Sequence, residues 1–302
     1  MGEVWRATHD LLGREAAVKL VRFNGAGGSE GAEVERFQRE AQALASLRSP
    51  HTLRLYEYGI SPKFYLVTEL LKGLDLESIV ESFGPLPLAR CIRLMRHACL
   101  SLAEAHAAGF FHRDVKPGNL FCCRRIGGEH DVLKVLDFGL VNAPLAAIGD
   151  GESHLTSPGV FLGTPQTSSP EAAKCRPDEI DAQSDLYSLG CTIYYLVTGG
   201  DVFRGPPLRV LMDHISKDPD PPSKRLGRQL PPEFDALIMS CLSKTKADRP
   251  ADADEVIRRL DEIPIEDPWG PDEAQRWWSG RGVRPRSPEQ ARDADPTSAL
   301  TP

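Results

Sequence analysis

A change of apolar rhythm near residue 70 constrains this chain more than any other feature. Before it, apolar residues alternate along short runs. Glu3–Thr8, Ala16–Val21, Leu53–Tyr58 and Phe64–Thr68 read as strands, the first two joined by a polar turn through Gly13. One helix interrupts them. A Gly-rich stretch at Gly25–Gly31 leads into Glu33–Leu47, where Phe37, Ala41, Leu44 and Leu47 recur at helical spacing until Ser49-Pro50 stops the pattern. From Leu74 onward the rhythm is helical. Leu88, Ile92, Met95, Cys99 and Leu102 make one stripe of a helix over Leu88–Ala108 that ends at Gly109, and Ser184–Thr198, Phe234–Leu242 and Ala253–Leu260 follow in the same pattern. A small β-rich block holding one main helix, followed by a larger helical block, implies an α+β fold in two lobes. A chain of 302 residues accommodates it, and no internal repeat competes with that reading.

Composition sets the outer limits. With 41% hydrophobic and 26% charged residues the chain can build a core, and its formal charge of −7 argues against nucleic acid as a partner. No apolar run reaches the roughly 18 residues that span a bilayer, and the N-terminus lacks a basic-then-apolar leader, so no membrane association and a cytoplasmic location are expected. The seven cysteines, among them Cys122, Cys123 and Cys175, show neither C-x-x-C pairing nor histidines at zinc spacing. They read as reduced, mostly buried residues.

The chemistry-bearing residues cluster in order. His112-Arg-Asp-Val-Lys-Pro-Gly-Asn119 is followed by Asp137-Phe138-Gly139. This sequence supplies one candidate base, Asp114, and two candidate oxygen ligands for a hard cation, Asn119 and Asp137. Pro117 stiffens the loop between them. Lys19 lies within an apolar strand, where an inward ammonium is costly unless paired; a solvated position on an edge strand is the alternative.

Taken with Ala17-Val18-Lys19, Glu40, Gly163-Thr164-Pro165, Ser169-Pro170-Glu171, Asp185 and Arg249, these motifs resemble the catalytic domain of eukaryotic-type Ser/Thr protein kinases, of the sort also found in bacteria. The resemblance spans residues 1–263, with an N-lobe of 1–70 and a C-lobe of 71–263. It implies transfer of the ATP γ-phosphate to serine or threonine hydroxyls of protein substrates, with Mg2+ as cofactor and self-phosphorylation in trans. Lys19 is then expected to hold the α- and β-phosphates and pair with Glu40. Asp114 would orient the substrate hydroxyl and accept its proton, Lys116 would neutralise the transferring group, and Thr164 would bond both. Asn119 and Asp137 would bind magnesium. Val4, Ala17 and Leu120 would sandwich adenine beside backbone groups of Glu69 and Leu71, with a small gatekeeper at Thr68. Leu44, Leu55, His112 and Phe138 would form an apolar column. Glu171 and Arg249 would make a buried ion pair, and Asp185 would tie the central helix to the catalytic loop. Thr156, flanked by Ser153 and Ser157, aligns with the family's activating phosphosite, where a phosphate would meet Arg113; an unmodified surface threonine is the other reading.

Two departures stand out. Gly2-Glu3-Val4 is the last piece of a glycine-rich loop whose leading strand and glycines are missing, so a start upstream of Met1 is expected. Without that loop, ATP would bind more weakly, and a pseudokinase or nucleotide-binding scaffold is the alternative function. A small-molecule phosphotransferase on the same fold is a third, disfavoured by the peptide platform at Gly163–Glu171. Thr167-Ser168-Ser169 also lacks the aromatic residue common before this motif. The tail, 264–302, carries Trp269, Trp277 and Trp278 around a proline-led turn at Pro271. Either the turn docks on the C-lobe or its aromatics are incidental; 281–302 is too polar to order itself.

Overall fold

Backbone pairing and burial are described by a computed structural model for residues 3–21, 30–60, 64–138 and 163–280. Strands β1 (Val4–Thr8), β2 (Glu15–Val21), β3 (Leu55–Gly59) and β4 (Phe64–Glu69) form an antiparallel sheet in the order β1-β2-β4-β3. The β1–β2 turn closes through a Gly13 N–H to His9 carbonyl bond of 2.8 Å, with Gly13 at φ +61°, which glycine adopts without steric cost. Helix α1 (Glu30–Ser46) buries the stripe expected of it, Phe37, Ala41 and Leu44. Phe37 meets Tyr58 and Phe64 edge-on, with ring centroids 6.0 and 5.1 Å apart.

The second lobe opens with β5 (Gly73–Asp75), α2 (Leu76–Phe83), α3 (Leu88–Ala107), β6 (Leu120–Cys123) and β7 (Val132–Val135). It continues through α4 (Pro170–Ala173), α5 (Ala182–Thr198), α6 (Pro207–Ser216), α7 (Pro222–Leu226), α8 (Pro232–Cys241), α9 (Ala253–Asp261) and α10 (Pro271–Gly280). Its helix ends are written in the sequence. Asp75, Asp181 and Asp252 accept backbone N–H bonds at the starts of α2, α5 and α9, and Gly199 closes α5 in the left-handed region. Helix α5 is buried along almost its whole length. A Cβ at Gly190 would stand 2.7 Å from the Cys241 side chain, so glycine lets α5 and α8 approach.

The helical rhythm predicted across this lobe misses one layer. Strands β5, β6 and β7 form a second antiparallel sheet, in the order β5-β6-β7. These strands are three or four residues long, and β7 is buried at every position, so no alternation betrays them. The sheet joins the lobes. Leu53 N–H donates to the Val135 carbonyl at 3.0 Å, Val135 N–H to the His51 carbonyl at 2.7 Å, and the buried Lys134 ammonium reaches Glu69 at 2.7 Å. Of the cysteines, Cys175 is exposed and the others are buried, as expected.

Candidate active site

The loop from His112 to Asn119 runs between α3 and β6, and α5 fixes its shape. The buried Asp185 carboxylate accepts the His112 and Arg113 backbone N–H groups at 2.7 and 2.8 Å and meets His106 Nε2 at 2.9 Å. Arg113 sits at φ +64°, a costly conformation for a side-chain-bearing residue, and these bonds hold it there. His112 is locked between the Leu136 carbonyl, 2.7 Å from Nε2, and the Phe138 ring, whose centroid is 4.8 Å away.

Beyond that anchor the polar groups converge. Asp114 Oδ2 lies 2.7 Å from Lys116 Nζ, and its Oδ1 accepts the Thr164 hydroxyl at 3.1 Å, while Lys116 donates to the same hydroxyl at 2.9 Å. The Asn119 amide nitrogen donates to the Asp114 carbonyl at 2.8 Å and to its carboxylate at 3.1 Å. That use of the nitrogen turns the amide oxygen into the group available to a cation. Leu136 N–H donates to the Asn119 carbonyl at 2.9 Å, so Asn119 and Asp137 are tied one residue apart. Asp137, itself at φ +48°, presents a partly exposed carboxylate whose Oδ1 lies 2.5 Å from Lys19 Nζ across the seam of the lobes.

Below this cluster Glu171 and Arg249 form a bidentate pair at 2.8 and 3.1 Å, and Ser184 donates to the same carboxylate at 2.5 Å. Burial pushes the Glu171 carboxyl up, but the bonds from Arg249 and Ser184 outweigh it and hold it below its ordinary range.

The family described as "Protein kinase domain" matches residues 1–259. The chain belongs to the protein kinase family. Its kinase relatives include the serine/threonine-protein kinase PknB of Mycolicibacterium smegmatis, 34% identical over 306 residues, which cover 99% of this chain and 44% of that protein. PknB of Mycobacterium tuberculosis is 34% identical over 307 residues, covering 100% and 44%. The chain thus spans less than half the length of these curated relatives. Among solved structures, the Mycobacterium tuberculosis PknI kinase domain superposes with a TM-score of 0.63 at 21% identity, covering 87% of this chain and 90% of that one. Rad53 residues 1–466 in complex with AMP-PNP gives 0.67 at 22% identity, covering 85% and 61%. At such identities these structures speak for the fold.

Read as a kinase, the chain differs from expectation at Lys19. The ion pair of this lysine among the described residues is with Asp137, not with Glu40. The Asp137 carboxylate takes the ammonium across the seam of the lobes, while Glu40 on α1 buries a carboxylate oxygen. Ala17 pairs with Thr68 across β2 and β4, and Leu120 is fully buried next to Asn119, while Val4 on β1 is 64% exposed. Leu71 is half-buried, and the Glu69 carboxylate is occupied by Lys134 and the Arg54 N–H. Leu44 and Phe138 share one apolar cluster, with Leu55 packed against it. Gly2, Gly139, Ser153, Thr156, Ser157 and residues 281–302 lie outside the described residues.

Two contributors escaped the sequence reading. His106 completes the donor set of Asp185, and Lys134 links the lobe seam to Glu69. A lysine inside the apolar run Val132-Leu-Lys-Val carries the same signal that singled out Lys19; His106, in an ordinary helical turn, carries none.

Proposed function

We propose that this chain is an ATP-dependent serine/threonine-protein kinase. The observation that carries the reading is the joint arrangement of Asp114, Lys116 and Thr164 beside Asn119 and Asp137, with Lys19 reaching the same place from the other lobe. The names of the curated relatives support serine and threonine as acceptors.

Two oxygen donors of different charge, one carboxylate and one amide, suit magnesium, which takes few protein ligands and fills its shell with water and phosphate. Asn119 and Asp137 would hold it, and when bound it supplies neutralisation of phosphate charge. The protein's own part is positional and electrostatic. Asp114 orients the acceptor hydroxyl and takes its proton, worth about 10²–10⁴ in rate. Lys116 sets a positive charge beside the transferring group, and Thr164 keeps Lys116 and Asp114 in register. Lys19 holds the nucleotide phosphates once released from Asp137. Ala17, Leu120 and Val4 offer apolar surface to the base, with backbone groups of Glu69 and Leu71 at the hinge. Intact Lys19, Asp114 and Asp137 weigh against a pseudokinase. Among the described residues no helix is long and apolar enough to cross a membrane.

Incubation with γ-labelled ATP and a generic basic protein, with and without Mg2+, tests the reading. Label on serine and threonine of the acceptor, dependent on Mg2+, is expected; absence of transfer under saturating ATP overturns it. Mass spectrometry of the same reaction is expected to place phosphate within 153–157 and at Thr156, transferred between copies of the chain.

A further inference from the structure

Residues 264–280 lie beyond the segment that the kinase family matches, yet they close onto its core. The meeting point is Asp131, a fully buried residue just ahead of β7. Its carboxylate accepts Arg90 Nε and Nη2 at 2.8 and 2.9 Å, Trp269 Nε1 at 2.8 Å and Trp278 Nε1 at 2.5 Å, with Cys122 Sγ at 3.4 Å. Arg90, also fully buried, has the face of Trp277 3.8 Å from its guanidinium carbon. The tail therefore supplies two N–H donors to a buried charge that would otherwise have only Arg90 and the weak Cys122 thiol.

The backbone of Asp131 stands at φ +56°, a conformation that persists only where surroundings impose it. The next residue begins β7, which pairs with β6 from Cys123↔Val132 to Leu120↔Val135. At that far end lie Asn119, just ahead of β6, and, past Leu136, Asp137, two residues beyond β7. One end of the β6–β7 hairpin is pinned by the tail, and the other carries the two metal-ligand candidates.

We propose that Asp131 is a positioning residue for Asn119 and Asp137, and that the segment 264–280, through Trp269 ahead of α10 and Trp278 within it, is a working part of the catalytic unit rather than an appended tail. The inference rests on the kinase reading above for its kinetic consequence, though not for its structural one.

The test is Trp269→Phe/Trp278→Phe in the full chain, which keeps both rings and removes both N–H donors. Val256→Ala in α9, a buried site that makes none of the cage's hydrogen bonds, serves as a control for general destabilisation. With both variants assayed well below melting, the double variant is expected to raise KM for Mg-ATP about tenfold, as loss of a partner behind a metal ligand does, without changing KM for the protein acceptor. Amide exchange across 118–137 is expected to quicken in the double variant and not in Val256→Ala. Equal KM for Mg-ATP and equal exchange across 118–137 in the two variants would overturn the proposal and leave the tail as a stabilising clamp. Should the double variant not fold, Trp269→Phe alone, at a half-buried ring, carries the same readouts and outcomes. A wild-type chain that neither binds nor uses ATP would defeat the kinase reading instead, while the exchange measurement still decides whether tail and hairpin are coupled.

Discussion

Asp185 and Asp131 solve one problem in two ways. Each is a buried carboxylate, and each steadies a side-chain-bearing residue in the left-handed region: Arg113 at φ +64° for the first, Asp131 itself at φ +56° for the second. Asp185 draws on two successive backbone amides of one loop and on His106. Asp131 draws on side chains spread from Arg90 to Trp278. Backbone donors survive substitution of the residues that carry them, so the first arrangement needs little beyond one aspartate on α5. The second needs an arginine, an aspartate and two indoles to agree. The loop from His112 to Asn119 is therefore robust by construction, and the hairpin behind it depends on distant residues.

The largest effect should come from breaking the more dispersed cage at its centre. Asp131→Ala leaves the Arg90 charge buried without its carboxylate and is expected to cost about 3–5 kcal/mol in denaturant unfolding. Asp185→Ala should cost less stability, roughly 1–3 kcal/mol for amides left unsatisfied, yet lower kcat by more than its stability loss explains. If Asp185→Ala proves the more destabilising of the two, the contrast between backbone and side-chain donors is wrong.

Acid should test a third buried group that neither cage contains. His214 lies between the Tyr187 hydroxyl at Nδ1 and the Gln166 carbonyl at Nε2, at 2.9 and 3.1 Å, and burial, with Lys244 nearby, pulls it down from 6.5 to about 4. Asp213 and the Gln166 carbonyl oppose that shift without cancelling it. Because the unfolded chain takes up this proton first, the stabilisation is complete above pH 6.5 and is lost as the pH falls toward about 4. Urea midpoints measured at pH 7 and 5 are expected to drop, and to drop less in His214→Gln. The smallest effect belongs to Trp269→Phe. It removes one donor of several to Asp131, about 1 kcal/mol, read as a modest shift in melting temperature.

The same contrast explains what the sequence disclosed. The stripe Phe37, Ala41 and Leu44 was readable because helical periodicity records which face is buried. The loop from His112 to Asn119 was readable because its chemistry is contiguous, and the contacts of Asp185, Glu171 and Arg249 follow a resemblance that spans those positions. Strands β5 to β7 left no trace, since three or four buried residues are too few to show a period. The Asp131 cage was invisible for another reason: its members are ordinary residues until the fold gathers them. Three tryptophans in a polar tail pointed to docking on the C-lobe without naming Asp131 as the group they meet. The partner of Lys19 shows the limit in the opposite direction, because resemblance pointed to Glu40 and the structure sets Asp137 against the ammonium.

The most direct measurement compares γ-phosphate transfer by the wild-type chain and by Asp114→Asn at saturating Mg-ATP, with nucleotide affinity determined for both. The account predicts unchanged affinity and a fall in kcat of about 10²–10⁴-fold in the variant. Equal rates in the two proteins would contradict it.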